Sequence, residues 1–478
     1  SLTCSGLVPP QYSLHYKPDI LLPTVGGYLF QGGSMSDLNS RVSRRRFLGS
    51  SISAAVGGLA AGSIPRAVHA AEPAGSFPPV GTLEPPAVPD EAFWWEVRKQ
   101  FNIQDGFTFM NNGTFGPPPR VVLDEHIRIQ RDLSADPRNN YRSDELHENK
   151  AVFAEFFGAH AEDIAYMRST TEGMNNFANG VDFREGDEVL MCTHEHPGGY
   201  GAYRSLEHYR GIKVKEIEVP ILPESIDQVV DIYEKAITPR TRVIVVSHIT
   251  FISGLLTPVK ELSEMAHRHG LLISVDGAHP PGMMDVNFLD IGCDHYAAAG
   301  QKWLLAGTGT GLAYFSHDVQ DWIHPLMGAD GHEEDGEWIM HEDAERYEHC
   351  GQRNIPYALG MKTAVEFQTK IGKANIEARV RQLSTQFREG LMEIPGVHLQ
   401  TPMDPKMSCG LTHFSVDGVP MANVRDGIME IGRIHIRTSS RGNVSGCRAS
   451  THFYNMPEEV DELLRCIRYI AENPAKFA

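Results

Sequence analysis

The stretch HYAAAGQKWLLAGTGTGLAYF, residues 295–315, holds two short apolar runs, at 295–300 and 311–315, separated by a glycine-rich loop. Each run has the length and composition of a β-strand. Lys302 follows the first run, and no other residue from 298 to 306 carries a formal charge. The loop therefore presents a single amine in apolar surroundings at the end of a predicted strand.

Similar apolar runs precede this stretch and alternate with helical patterns. Four further predicted strands occupy residues 187–193, 214–219, 242–249 and 271–277. Such alternation predicts an α/β domain with a mostly parallel sheet. Near residue 354 the pattern changes to a long helix followed by an α+β unit. We therefore predict a large domain at 107–350 and a smaller C-terminal domain at 351–478.

Composition and charge exclude some classes of partner. The 478 residues are 41% hydrophobic and 22% charged, as in a globular protein with a large core. A formal net charge of −18 argues against nucleic acid and anionic membranes, because both bind basic surfaces. Beyond the N-terminal region no apolar run is long enough for a bilayer, so we expect no stable membrane insertion.

The N-terminal region has the features of an export signal. Residues 1–34 lack periodicity and precede Met35, and we interpret them as a leader. Residues 35–70 contain a charged segment, a Gly/Ala-rich apolar run and small residues at the end, as in a signal peptide. The pattern S-R-R-x-F-L at 43–48 resembles the twin-arginine signal, which implies a periplasmic protein. The alternative is a basic N terminus with a flexible tail. Residues 71–106 read as a linker and an N-terminal helix.

Several common ligand-binding motifs are missing from the sequence. It has neither a G-x-G-x-x-G motif that opens a helix nor a P-loop, which argues against dinucleotide and P-loop chemistry. CTHEHPGG at 192–199 offers His194 and His196 as metal ligands, but a catalytic zinc needs a third ligand from elsewhere. We predict no metal site.

An aspartate and a lysine at neighbouring strand ends point to another cofactor. Asp276 ends the predicted strand 271–277, at the edge where open α/β sheets bind ligands, and a buried carboxylate there needs a cation such as a protonated ring nitrogen. Lys302 follows the next strand, where apolar surroundings lower the pKa of an amine and make it nucleophilic. A lysine Schiff base and an aspartate on the ring nitrogen together hold pyridoxal phosphate.

Hydroxyl groups and histidines complete the predicted pocket. Ser169, Thr170 and Thr171 precede a helical run, where hydroxyls and unpaired N–H groups can hold a phosphate. His196 follows another strand and is placed to stack on a ring. His248 ends a third strand at the same edge and is a weaker candidate for the pocket.

Each of these residues also has an ordinary structural explanation. An aspartate at a strand end is often a cap or turn residue, and a lysine between strands commonly extends to solvent. Ser-Thr-Thr before a helix is often only an N-cap, and a loop histidine is often only polar surface. The order and spacing of all four features together favour the pyridoxal-phosphate interpretation.

The same segments resemble the class V aminotransferase family of fold-type I pyridoxal-phosphate enzymes, which includes cysteine desulfurases and isopenicillin N epimerase. The resemblance rests on RSTTEGMN at 168–175, EHP at 195–197, SVDGAH at 274–279, AGQKW at 299–303 and CRASTHFYNMPEEVDEL at 447–463. It implies a mostly parallel, seven-stranded sheet and pyridoxal 5'-phosphate on Lys302. It also implies that His279 contacts the ring hydroxyl and that Gln301 lies near the phosphate.

The resemblance extends to substrate and partner contacts. It implies that Arg448 holds a substrate carboxylate by a bidentate pair, with Arg437 as a second candidate. NNGTFG resembles the substrate-side loop of the epimerase-like branch, which assigns Asn112 to the substrate. GQRN at 351–354 falls where family members reach the cofactor of the partner subunit, which implies a homodimer.

Departures from the family pattern bear on the reaction. Desulfurases carry a mobile cysteine at the position of Gly442, and no cysteine lies between residues 437 and 445. Persulfide chemistry therefore lacks an obvious thiolate. Ala299 and Gln301 replace a serine and a histidine of the family, so the phosphate contacts differ in detail.

These patterns predict an exported pyridoxal-phosphate enzyme acting at the α-carbon of an amino acid, or of an amino-acid residue in a larger metabolite. An exported member resembles the periplasmic enzymes that tailor pyoverdine siderophores, so an aminotransferase-like or tailoring step is expected. Epimerisation and C–S lysis would use the same site and remain alternatives. An alternative of another class is a non-catalytic binding protein that retains the fold.

Overall fold

The computed structural model describes residues 83–328, 331–442 and 444–478. The predicted leader at 1–34, the predicted signal peptide at 35–70 and the first part of the linker lie outside these residues.

Helices contribute more residues to the described chain than strands do. The α-helices are α1 Glu91–Arg98, α2 Arg120–Ala135, α3 Ser143–Phe157, α4 Thr170–Gly180, α5 Pro197–Arg210, α6 Ile226–Ala236, α7 Val259–Arg268, α8 Phe288–Ile291, α9 Ile355–Ile371, α10 Lys373–Met392, α11 Met421–Gly432, α12 Pro457–Glu472 and α13 Pro474–Phe477. Short 3-10 helices occupy Pro137–Asn139, Ala161–Asp163, His317–Val319 and Ala344–Tyr347.

The strands are short and fall mainly in the middle and at the end of the chain. They are β1 Thr108–Phe109, β2 Ile164–Met167, β3 Glu188–Cys192, β4 Lys213–Ile217, β5 Thr241–Ser247, β6 Leu272–Gly277, β7 His295–Ala299, β8 Gly311–Phe315, β9 Gly331–Glu334, β10 Glu337–Met340, β11 Val397–Leu399, β12 Leu411–Val416, β13 Ile434–His435, β14 Arg437–Arg441 and β15 Val444–Ser450.

The central sheet has seven strands in the order β2-β8-β7-β6-β5-β3-β4. Strand β8 runs antiparallel to β2 and β7, and the other neighbouring pairs are parallel. All six strands predicted from the apolar runs are present, with ends shifted by at most two residues. Strand β2 was not predicted, because its four residues, IAYM, form too short a run.

Side chains of the central strands alternate between two apolar layers, as strand geometry requires. In β5, Ile244 and Val246 face the layer that contains α6, α7 and α9. Val243 and Val245 face the layer formed by α4 and α5. Burial on both faces explains why this strand reads as a continuous apolar run.

The second α+β unit contains a four-stranded antiparallel sheet in the order β11-β12-β15-β14. Helices α10, α11 and α12 cover it through a core that includes Phe387, Phe414, Ile428 and Ile467. The predicted C-terminal α+β unit is therefore present.

Two segments connect this unit with the large sheet. Strand β1 pairs in parallel with β13 of the C-terminal unit. Helix α9 packs against α2 and α3 and contributes Ile355, Leu359 and Val365 to the core of the large sheet. The proposed boundary between residues 350 and 351 stays a prediction.

Helix α1 lies within the segment predicted as a linker and an N-terminal helix. It buries Trp94 and Val97 in a cluster that includes Trp303, the residue after the loop lysine. No described helix is long and apolar enough to cross a bilayer. The six described cysteines form no disulfide, and five of them are buried.

Candidate active site

The candidate site lies where strands β6 and β7 end. Asp276 on β6 pairs in register with Ala297 of β7, and Lys302 lies on the turn that follows β7. The turn is fixed from the N-terminal region, because the amide of Gly116 donates to the carbonyl oxygen of Gln301 at 2.9 Å. Gly307 and Gly309 adopt φ values of +89° and +83°, which only glycine tolerates without strain, and return the chain into β8.

A cleft of about 250 Å³ opens at this edge of the sheet. Most of the predicted site residues line it together, namely Ser169, Thr170, Thr171, His196, Asp276, His279, Gln301, Lys302, Arg437 and Arg448. Gly113, Thr114, Gly198, Phe251 and Ala278 line it as well.

Two predicted site residues do not line the cleft. His248 is buried, and its Nδ1 lies 2.9 Å from the hydroxyl of Tyr296. Asn112 is buried too; its Nδ2 donates to the carbonyl oxygen of Lys302 at 3.3 Å, and its Oδ1 accepts from the hydroxyl of Tyr454. Asn112 therefore supports the lysine loop, and the assignments of His248 to the pocket and of Asn112 to the substrate stay predictions.

Lys302 keeps some accessible surface in the cleft but lies deep among protein atoms. Desolvation lowers its pKa to about 8. The Asp276 carboxylate opposes this shift, and the positive charges of Arg448 and Arg437 add to it. About a tenth of the amine is therefore uncharged at pH 7, far more than for an ordinary lysine, and a nucleophile or proton carrier requires this uncharged form.

Asp276 is the only acidic side chain among the described residues that line the cleft. Burial raises its pKa, while the positive charge of Lys302 and the amide of Ala278, which donates to Oδ1 at 3.1 Å, oppose the rise. Gly199, in the first turn of α5, allows the close approach of this helix, because a Cβ there would lie 2.9 Å from Oδ2.

The N terminus of α4 forms one end of the cleft. Ser169 caps the helix, with its Oγ accepting from the amide of Glu172 at 3.2 Å. The hydroxyl of Thr170 is buried and has no partner among the described residues, and neither has Oε1 of Gln301. Unpaired N–H groups and hydroxyls at a helix start bind anions such as phosphate.

His196 caps α5 at the opposite wall. Its Nδ1 accepts from the amide of Gly198 at 3.0 Å, and its ring meets Phe251 edge-on at 4.9 Å between centroids. Desolvation, followed by the charges of Lys302 and Arg437, lowers its pKa to about 4. The ring is therefore uncharged at neutral pH and faces the cleft.

Two arginines form the third side of the cleft. Arg437 and Arg448 are partners in the register of β14 and β15, and each donates to the hydroxyl of Thr114, at 3.0 and 3.1 Å. Arg448 is buried and also donates to the carbonyl oxygen of Phe251 at 2.8 Å, whereas Arg437 is exposed. Burial, followed by the charge of Arg437, lowers the pKa of Arg448 to about 9. Thr114 was missed from the sequence, although it lies two residues after Asn112.

Comparison with known proteins identifies the family. Residues 119–463 match the family described as Aminotransferase class-V. The chain belongs to the class-V aminotransferase family. Isopenicillin N epimerase of Amycolatopsis lactamdurans is 31% identical over 395 residues, which are 79% of this chain and 99% of that protein. A probable cysteine desulfurase of Methanothermobacter thermautotrophicus is 28% identical over 402 residues, covering 79% of this chain and 98% of that protein.

Solved structures of similar proteins share the fold of this class-V enzyme. Cysteine desulfurase from Thermococcus onnurineus NA1 matches with a TM-score of 0.70 and 25% identity, over 79% of this chain and 98% of that chain. A C-DES variant with glycine covalently linked to its PLP cofactor also gives 0.70 at 25% identity, over 78% and 98% of the two chains. The chain is a pyridoxal-phosphate enzyme of fold type I.

The residues of the cleft fit this cofactor. Three residues that line the cleft carry buried polar atoms without a partner among the described residues, namely Thr170, Gln301 and His279. Such atoms are costly unless a ligand binds them. The α4 terminus would hold the phosphate, Asp276 the ring nitrogen and Lys302 the carbonyl carbon.

Proposed function

We propose that this class-V enzyme moves a proton at the α-carbon of an amino acid, or of an amino-acid residue in a larger metabolite, with Lys302 as the proton carrier. The observation that carries the proposal is the position of Lys302 in a cleft that also holds Asp276 and two arginines, where burial lowers the pKa of the amine to about 8. General acid–base catalysis needs a group that changes protonation near the working pH.

Each side chain of the cleft has a defined task in this reaction. Bound pyridoxal phosphate supplies an electron sink for the negative charge that develops at the α-carbon. Asp276 keeps a proton at the ring nitrogen, and His196 covers one ring face. Arg448 binds the carboxylate through the Nε and Nη donors of its buried guanidinium. Lys302 removes the α-proton and returns it.

Sulfur transfer is disfavoured because no described cysteine lines the cleft. Cys447 lies on β15, and its Sγ donates to the carbonyl oxygen of Met421 at 3.3 Å. Burial raises its pKa to about 12, so a thiolate does not form near neutral pH. Cys192 is buried, and its Sγ donates to Glu195 at 3.1 Å. Neither cysteine lines the cleft.

Transamination and epimerisation both begin with removal of the α-proton, and one experiment separates them. The holoenzyme is incubated in D2O with L-amino acids and with peptides that carry a free α-amino group. Proton NMR follows α-hydrogen exchange, a chiral separation follows the D:L ratio, and a hydrazine reagent follows keto-acid formation. Similarity to isopenicillin N epimerase, over 99% of its length, favours the epimerase outcome as the second candidate.

The controls decide whether the enzyme is catalytic at all. Lys302→Ala should abolish exchange while the protein still folds. If the wild type exchanges no α-proton and no amino compound changes its visible absorption, the non-catalytic binding alternative replaces this proposal.

We also propose that the enzyme is exported, on the basis of the pattern at residues 43–48. Export would give it access to metabolites matured outside the cytoplasm, and siderophore precursors are one such class. A fusion of residues 35–70 to a reporter that is active only after twin-arginine export tests this proposal. Replacing Arg44 and Arg45 by lysine should trap the reporter in the cytoplasm, and unchanged export of that variant would contradict the assignment.

A further inference from the structure

Trp303, the residue after Lys302, makes a hydrogen bond that no other part of the mechanism uses. Its Nε1 lies 3.2 Å from Nδ1 of His279, and both side chains are buried. His279 lines the cleft, three residues after Asp276. The contact therefore joins the lysine loop to the residue that follows the aspartate strand.

The hydrogen bond between Trp303 and His279 can form in one direction only, with the indole as the donor. An indole N–H donates and cannot accept, so Nδ1 of His279 must be unprotonated. Burial, followed by the positive charges of Lys302 and Arg448 and the ring of His196, lowers the pKa of His279 well below its usual value. A neutral imidazole with an unprotonated Nδ1 carries its proton on Nε2.

The other ring nitrogen of His279, Nε2, is not satisfied by any described residue. Nε2 is buried and has no hydrogen-bond partner among these residues. Because buried polar groups are normally paired, an unpaired donor in the wall of a cleft points to a ligand. The ligand must offer an acceptor, since this nitrogen carries the proton.

Trp303 is held rigidly enough to impose this arrangement. Its carbonyl oxygen accepts from Nε2 of Gln368 at 2.8 Å and from Nε2 of His452 at 3.2 Å. Its ring stacks on that of His452, with centroids 5.3 Å apart and planes 19° from parallel. The indole is fully buried in the cluster that contains α1.

We propose that Trp303 is a positioning residue that fixes His279 as the Nε2–H tautomer, so that His279 donates a hydrogen bond to the oxygen of the ring hydroxyl of bound pyridoxal phosphate. Without the indole donor, His279 can carry its proton on either nitrogen. In the Nδ1–H tautomer, Nε2 is an acceptor and cannot donate to the hydroxyl oxygen of the cofactor. The lysine loop thus selects the tautomer of a residue in another loop.

A double-mutant cycle tests this role through cofactor binding, which is measured independently of turnover. Trp303→Phe keeps the stacked ring and removes the donor, and should weaken pyridoxal-phosphate binding about five- to tenfold, as expected for one lost hydrogen bond. A glutamine amide always carries donor hydrogens. In a His279→Gln background, Trp303→Phe should therefore change the dissociation constant by less than twofold. Equal losses in both backgrounds would show a merely structural role and overturn the proposal.

Two further measurements keep the test decisive if Trp303→Phe folds poorly. In the wild-type protein, nitrogen-15 NMR of labelled histidine identifies the His279 signals as those lost in His279→Gln. Their shifts should report the Nε2–H tautomer, and an Nδ1–H tautomer would overturn the proposal. Trp94→Phe is the matched control, since Trp94 is buried in the same cluster and does not line the cleft. It should leave cofactor affinity and the visible spectrum unchanged.

Discussion

Lys302 carries the amine of the site, and its protonation decides when that amine can attack a carbonyl carbon. Since only the uncharged amine is nucleophilic and its pKa is about 8, the rate of cofactor loading onto the apoenzyme should rise about tenfold per pH unit below pH 8 and level off above it. Growth of the visible absorption band after mixing measures this rate. Asp276→Asn removes the negative charge that raises the lysine pKa, so the plateau should begin at lower pH. A rate independent of pH from 6 to 9 would contradict the assignment.

Arg448 and Arg437 differ in burial, and this difference predicts unequal roles. Arg448→Lys should raise KM about 10- to 100-fold with little change in kcat, because a lysine cannot replace a planar, buried guanidinium. Arg437→Lys should change KM less than about fivefold, because exposed ion pairs contribute little. Steady-state kinetics with the amino acid found by the exchange assay measures both. Equal effects would mean that the two arginines bind the carboxylate jointly.

At the scale of elements, the sequence allowed the strands and their functional ends to be predicted, because buried parallel strands are continuous apolar runs. Asp276 could be placed at the end of such a run without knowledge of its neighbours. His248 also ends a run, yet it lies against Tyr296, 48 residues away in the chain. Asn112 contacts the lysine loop 190 residues away. Side-chain direction at a strand end depends on such distant partners, which periodicity does not reveal.

Helix α5 offers a test at this scale, because two of its glycines have different surroundings. Gly199→Ala would place a Cβ 2.9 Å from the Asp276 carboxylate, so either the helix or the aspartate must shift. We expect cofactor affinity to fall about tenfold, equivalent to roughly 1.4 kcal/mol. Gly201→Ala, in the same helix, meets nothing within 4 Å and should stabilise the fold by about 0.4–1 kcal/mol without changing affinity. Cofactor titration and thermal unfolding measure the two effects, and equal affinities would contradict the close-approach argument.

At the scale of the whole molecule, the cleft draws on three distant parts of the chain. The central sheet supplies the cofactor side, through Asp276 and Lys302. The C-terminal strands supply the arginines, and the N-terminal segment supplies Thr114, whose hydroxyl accepts from both. Pairing of β1 with β13 holds that segment against the C-terminal unit. The order of motifs predicted the composition of the cleft, but pairing across more than 300 residues decided which side chains meet.

The last prediction concerns the dimer that the segment 351–354 implies. Gln352 is exposed and lies two residues before Asn354, which caps α9. We propose that this segment contacts the partner subunit's cofactor, as its resemblance to the family implies. Gln352→Glu should therefore repel the phosphate at the partner's site and inactivate that site. Lys302→Ala, in contrast, should inactivate the site of its own subunit. When the two variants are unfolded and refolded together, random two-fold pairing should restore about a quarter of the wild-type activity, since each mixed dimer has one intact site. Sedimentation velocity checks that the refolded species is a dimer. A monomeric wild type with full activity, or a mixture as inactive as its components, would contradict shared sites.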